Sequence, residues 1–252
     1  MKLVTFNIRC DYEQDGDNNF CFRKPLILEK LQQEKPDVIC FQEVLPHVAV
    51  WLKEALAEYY VIGCGRDQEL SNEQMTIAYR KDSMNLIQME TYWLSETPYV
   101  PGSRYPEQST CPRTCTEAVF EETGTRQIFR IVNTHLDHVG SLARQLAMRQ
   151  IADKLERNQL FSQAPVIVAG DMNAEPDSEE IALMKNRGYA NVTEGIGVTF
   201  HDYFREGPQE CIDYIFTKGL DCESLVKWTD VRSGVYLSDH YPICAVLRAS
   251  RM

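Results

Sequence analysis

Residues able to bind protons, metals or phosphate recur where apolar runs end. Asn7 closes KLVTF, Glu43 closes DVICFQ, Asn133 and His135 close IFRIV, and Asp171 and Asn173 follow VIVAG. Asp213 interrupts CI and YIF, while Asp239 and His240 stand just before YPICAV. If these runs are neighbouring strands, one edge of the structure collects Asn7, Glu43, His135, Asp171, Asn173, Asp213, Asp239 and His240. Half-burying Glu43, Asp171, Asp213 and Asp239 together is unfavourable unless cations compensate them. Oxygen ligands such as Glu43 and Asp239 suit a hard ion, Mg²⁺ or Mn²⁺, better than zinc. With imidazoles alongside, the set has the parts for metal-assisted hydrolysis of a phosphate ester: a cation for the oxyanion, a base to orient water, and donors for the phosphate.

The elements that must position these residues follow from periodicity and chain breakers. Strands are expected at 2–8, 37–43, 59–64, 75–80, 117–122, 128–136, 165–171, 211–217 and 241–248. Many are too continuously apolar to have one wet face and belong to sheets covered on both sides. Helices are expected with Pro25 near the start of the first, from about Pro46, after Gly140, and, in shorter form, after Pro176 with Asp177 or Ser178 as N-cap. In the strand VIVAG, Gly170 is expected to let the backbone turn where Asp171 and Asn173 project. The stretch 91–116, with Pro98, Pro101, Pro106 and Pro112 among Tyr92, Trp93, Tyr99 and Tyr105, is expected to be a long loop. With no repeat, low-complexity tract or linker, residues 1–252 are expected to form a single catalytic domain.

The 252 residues, 44% hydrophobic and 25% charged, fit a soluble globular protein. Net charge of −11 argues against tight nonspecific DNA binding, although local basic residues or metal ions remain able to hold one phosphate. Nothing in MKLVTFNIRC suggests a cleaved signal, and no apolar run is long enough to span a bilayer, so the chain is expected to be cytoplasmic, with no membrane partner. Its nine cysteines, odd in number and scattered, fit a reducing compartment, and Cys111 with Cys115 makes a poor zinc site.

FNIR at 6–9, PDVICFQEV at 36–44, NTHL at 133–136, GDMNAEP at 170–176, IDYIF at 212–216 and SDHYP at 238–242 together resemble the endonuclease/exonuclease/phosphatase superfamily, the deoxyribonuclease I-like fold. The resemblance implies an α/β fold: a two-sheet β-sandwich flanked by helices, with the site at one edge of the sheets. It implies that Glu43 is the principal metal ligand, with Asn7 and Asp239 on the metal or its waters. Asp171 and Asn173 would orient the attacking water and the scissile phosphate. His240, held by Asp213, and His135 would face the phosphoryl oxygens, and Glu73 falls where relatives support the first histidine, which pairs it with His135. A carboxylate behind each imidazole would favour the protonated ring.

The expected cofactor is Mg²⁺ or Mn²⁺, and the expected partner is a phosphate ester. Arg9, Arg104, Arg113 and Arg144 are candidates to touch it, Arg113 foremost because it lies in the proline-broken loop; Asn133 is a further substrate-binding candidate. His138 is placed at the site rim and His47 on a helix surface. For substrate, single-stranded RNA or nucleotide ends fit the charge, with bases stacked on Trp93, Tyr99 or Tyr105, as in a 3'-5' exoribonuclease. A phosphatase or phosphodiesterase for sugar or lipid head-group phosphates is the alternative, and a catalytically silent phosphate- or partner-binding module the second. The sequence leaves open whether Asp171 or His240 is the base.

Overall fold

The computed structural model describes residues 1–250. In chain order its strands are Lys2–Asn7 (β1), Val38–Val44 (β2), Tyr59–Ile62 (β3), Gln74–Arg80 (β4), Met84–Trp93 (β5), Thr114–Glu122 (β6), Ile128–His135 (β7), Val166–Asp171 (β8), Ala190–Asn191 (β9), Asp213–Lys218 (β10), Leu220–Lys227 (β11), Val231–Arg232 (β12), Val235–Tyr236 (β13) and Ile243–Ala249 (β14). The helices are Phe20–Glu34 (α1), Pro46–Ala55 (α2), Ser141–Arg157 (α3) and Glu179–Asn186 (α4). One sheet runs β11-β14-β1-β2-β4-β3 and the other β5-β6-β7-β8-β10-β9. Both are mixed: β1 and β2 are parallel, as are β7 and β8, while the other pairings are antiparallel.

The sheets stack face to face with helices outside, which divides the core into three slabs. Leu3, Val38, Cys40, Ile77, Ile131, Ile167, Ile215 and Ile243 fill the space between the sheets. Val4, Phe6, Ile39 and Phe41 point the other way, against Ile27 and Leu31 of α1 and Val48 and Leu52 of α2. Val132, Val168 and Phe216 likewise face Met148 and Ile151 of α3 and Ile181 of α4. Side chains alternate along a strand, so runs apolar on both faces can sit only in this arrangement.

Local chemistry sets the helix ends. The Asn19 side chain accepts a hydrogen bond from the Cys21 N–H, so α1 starts a turn before the expected Pro25, which sits inside it. Lys35, at φ 48°, and Pro36 end it. Ser178 is the N-cap position of α4, as expected.

Two long edge strands escaped the periodicity, as did the two-residue strands β9, β12 and β13. Met84–Trp93 and Leu220–Lys227 carry polar residues on an exposed face and lack the continuous apolar run that marks the central strands. Consequently Thr91–Trp93 and Thr114–Thr116 are strand, and the loop expected at 91–116 contracts to 94–113. No helix among the described residues is long and apolar enough to cross a membrane, and all nine cysteines are free.

Candidate active site

The same alternation that builds the inner core aims the polar residues. Asn7 shares the inner face of β1 with Leu3; Asn133 and His135 share that of β7 with Ile131; Asp171 follows Ile167 and Ala169 on β8; Asp213 precedes Ile215 on β10. Register finishes the alignment. His135 pairs with Asp171 across the β7–β8 ladder, and Asp171 pairs with Asp213 across β8–β10. The groups therefore meet at one end of the sandwich, where Asn7 Nδ2 bridges the sheets by donating to Asp171 Oδ2 at 3.0 Å.

Gly170 makes this alignment possible in a way its expected role as a turn did not include. A Cβ there would stand 1.9 Å from the Thr134 carbonyl oxygen, and φ is 144°. Only glycine lets β7 and β8 approach closely enough to set His135 beside Asp171. Glu43 is aimed by a different device. A bulge between Phe41 and Val44, with Glu43 at φ 60°, breaks the alternation of β2, so that Val44 returns to the helix-side core while Glu43 lines the cavity.

A cavity of about 480 Å³ opens over this end, lined by Glu43, His135, Asp171, Asn173, Asp239 and His240, with Arg9, Arg113 and His138 also on its wall. The expected constellation is thus brought together, with Asn7 and Asp213 directly behind it. His240 Nδ1 lies 2.8 Å from Asp213 Oδ2, and its Nε2 lies 3.4 Å from Asn7 Nδ2 and 3.8 Å from Asp171 Oδ2. Burial opposes a charge on His240, but Asp213, Asp171 and Asp239 outweigh it and raise its pKa to about 10. Asp171 is pushed up to about 7 by burial and by the neighbouring Asp213 charge. His240 therefore carries its proton at neutral pH, while Asp171 titrates there.

His135 behaves oppositely to expectation. Its Nε2 stands 3.4 Å from Asp171 Oδ2, but Nδ1 has no partner among the described residues. Burial, then the positive charges of Arg113 and Arg66, hold it well below its ordinary pKa, so the ring is neutral. The support expected from Glu73 is not there: Glu73 takes both Nη groups of Arg66, at 2.6 and 2.7 Å. Burial and the Glu43 charge push the Glu73 carboxyl up, and a forked guanidinium satisfies both its oxygens where one imidazole N–H could not.

Asn133 is likewise corrected from substrate contact to a strut between the sheets. Its Nδ2 donates to the Phe41 and Thr76 carbonyls at 2.8 and 2.9 Å, and its Oδ1 accepts from Gln42 Nε2 at 2.7 Å. An amide on the inner face, with apolar neighbours on either side, must satisfy its polar atoms there. Arg104 and Arg144 also stand apart from the cavity, donating to Ser109 O and Glu180 Oε1. His138 is at the rim and His47 is on the surface of α2, both as expected.

The floor suits a hard cation. Glu43 accepts from Asn7 Nδ2 at 3.0 Å and from the Cys10 N–H at 2.9 Å. Burial works against its charge, but Arg9 and these donors keep its carboxylate below the ordinary range. Asp239 Oδ2 is buried with no hydrogen-bond donor among the described residues, although Arg9 Nη1 stands 3.3 Å away. An orphaned buried carboxylate oxygen beside Glu43 and Asn7 is the donor set a divalent ion of the Mg²⁺ class would complete. Asp171, Asp213 and His240 also offer atoms within 4.8 Å of one another, a spacing that could hold a metal. There, however, Asp213 already occupies the His240 Nδ1, which makes the trio a proton-holding unit.

Several lining residues had no mark in the sequence: Tyr12, Arg66, Cys111, Phe200 and Glu210. Of these, only Arg66 had a readable signal, because Glu73 needs a counter-charge nearby in the chain. Conversely, the aromatics expected to stack bases do not line the cavity. Trp93 is buried and donates to the Arg66 carbonyl, while Tyr99 and Tyr105 line a separate cleft with Arg149 and Lys154.

Comparison with known proteins agrees with this geometry. Residues 4–240 match the model of the Endonuclease/Exonuclease/phosphatase family. An endonuclease/exonuclease/phosphatase from Bacteroides vulgatus is 32% identical, superposes with a TM-score of 0.92, and the match covers 99% of this chain and 98% of that one. A mannosyl-6-phosphatase from Bacteroides thetaiotaomicron is 26% identical with a TM-score of 0.88, over 98% and 99% of the two chains. Uncharacterized protein L388 of Acanthamoeba polyphaga mimivirus is 28% identical over 79% of this chain and 76% of its own length.

Proposed function

The chain belongs to the endonuclease/exonuclease/phosphatase family, whose members hydrolyse phosphate esters, and on that premise we propose that it is a Mg²⁺- or Mn²⁺-dependent phosphatase of small, hydroxyl-rich phosphate esters, the sugar-phosphate class. The observation that carries this reading is the cavity itself. It is compact, and charged and polar side chains make up most of its wall, with Tyr12 and Phe200 the only aromatic rings besides histidine among the described lining residues, while Tyr99 and Tyr105 lie in another cleft. The mannosyl-6-phosphatase relative supports the same substrate class.

Glu43, Asp239 and Asn7 would hold the cation, which when bound supplies charge to neutralise the phosphoryl oxygens. Asp171, with a pKa near neutrality, is the general base that takes a proton from the attacking water. Asn173 stands beside it on the cavity wall, its backbone N–H donating to Asp171 Oδ1 at 2.9 Å, placed to orient water and phosphate. His240 stays protonated against Asp213 and donates from Nε2 to the oxygens as negative charge builds on them. Neutral His135, its Nε2 3.4 Å from Asp171 Oδ2, offers an uncharged contact beside the base.

The test is initial-rate hydrolysis of mannose 6-phosphate, single-stranded RNA, single-stranded DNA and an abasic duplex, with Mg²⁺, Mn²⁺ or chelator. Metal-dependent release of phosphate from the sugar ester is expected. Turnover of single-stranded RNA at about a hundredfold higher kcat/KM would replace this reading with the nuclease one.

A further inference from the structure

One wall of the catalytic cavity holds a buried cation whose fork is largely unpaired. Arg113 is 4% exposed, yet its Nε and Nη1 have no hydrogen-bond partner among the described residues. Its Nη2 donates to His138 Nδ1 at 2.9 Å, and its one carboxylate ion-pair partner among the described residues is Asp137, with Oδ1 3.7 Å from Nε, while Glu73 also feels its charge. Asp137 is already committed. It accepts from the Ser109 N–H and hydroxyl and from the Val139 and Gly140 N–H groups. Arg66 on the same wall is neutralised by Glu73, but its Nε is idle as well.

Idle N–H donors on a buried guanidinium are costly unless an acceptor meets them. Water could serve, but a guanidinium fork is matched best by an oxyanion, which takes two parallel N–H groups. Arg113 makes no hydrogen bond or ion pair with Asp171, Asn173, Asp213 or His240, and its side-chain partners are His138 and Asp137, although its charge also reaches His135. We propose that Arg113, backed by Arg66 and His138, forms a subsite for a second phosphate carried by the same small molecule, so that the preferred substrate is a bisphosphate. This rests on the small-ester reading of the cavity.

Fructose 1,6-bisphosphate and fructose 6-phosphate serve as the test pair, with the wild type, Arg113→Gln and Arg113→Lys, each checked for folding by thermal melting. In the Mg²⁺-loaded wild type the bisphosphate is expected to have the higher kcat/KM by about tenfold or more, through KM. Arg113→Gln should cut that ratio by about tenfold, and Arg113→Lys, which keeps the charge but loses the fork, by less. Equal losses on both substrates would mean that Arg113 clamps the scissile phosphate, which overturns the second subsite. Should neither sugar ester be hydrolysed, the phosphatase reading fails, but calorimetric titration of the metal-free protein with the two sugars still tests the wall. Tighter bisphosphate binding that is lost in Arg113→Gln supports the subsite, and equal affinities overturn it.

Discussion

Exchanging Asp213 for asparagine removes one charge from the centre of the site while keeping its shape. Asp213 Oδ2 and His240 Nδ1 are 2.8 Å apart and both side chains are buried. With charge centres about 4 Å apart and an effective dielectric constant of about 20, their attraction is about 4 kcal/mol. At about 1.4 kcal/mol per unit this is about 3 pKa units. His240, at about 10 in the wild type, is then expected to lose its proton around neutrality. The assay is kcat/KM against pH on a phosphate ester with saturating Mg²⁺, for wild type and Asp213→Asn. The alkaline limb, set by loss of the His240 proton, should move down by about 3 units, and activity should fall by about 10-fold at about pH 8 and about 100-fold at about pH 9. A bound cation would act on the ring equally in both proteins, so the difference survives it. An alkaline limb at the same pH in both would refute the assignment of His240 as the charged donor.

The same pair links pH to stability. Because the folded pKa of His240 lies above its unfolded value, its contribution is complete below about pH 6.5 and is lost as pH rises toward about 10. The Tm of the metal-free wild type should fall over that window and that of Asp213→Asn should not. Glu43→Gln should weaken Mn²⁺ binding, read by calorimetry, by more than about 100-fold, the upper end of what groups behind a ligand produce. Gly170→Ala, with its Cβ driven against the Thr134 carbonyl, should cost at least about 3 kcal/mol in urea unfolding, and a cost below about 1 kcal/mol would contradict the close-approach argument. Asn133→Ala removes three buried hydrogen bonds between the sheets; it should lower stability by about 3 kcal/mol while moving KM less than about twofold, and a large KM effect would restore the substrate-contact role.

What could be read in the sequence was whatever period two and burial dictate together. Central strands such as Val166–Asp171 are apolar on both faces, so the first charged residue on the inner face, Asp171, must mark the strand end, and the same holds for Asn7 and His135. Edge strands such as Met84–Trp93 are half-exposed, and their mixed pattern hid them. Partner choice was equally hidden. Whether Glu73 reaches His135 or Arg66 depends on the path of the Gly65–Asn72 turn, and whether Asn133 faces substrate or the opposite sheet depends on how far the sheets overlap. The loop at 94–113 was recognised by its prolines, but its tyrosines pack toward α3, which no local pattern reports.

The register of β1 carries an implication for how the protein is made. Lys2–Asn7 lies between β2 and β14, so the earliest strand in the chain is flanked by the last. Asn7 touches Glu43, Asp171 and His240 at once, which ties together segments up to 233 residues apart in the chain. A nascent chain can pair β1 with β2 on leaving the ribosome, but it leaves β1 with an open edge until Ile243–Ala249 arrives. A chain that lacks Ile243–Ala249 therefore keeps one edge of β1, the strand that carries Asn7, unpaired and open to chaperones and proteases.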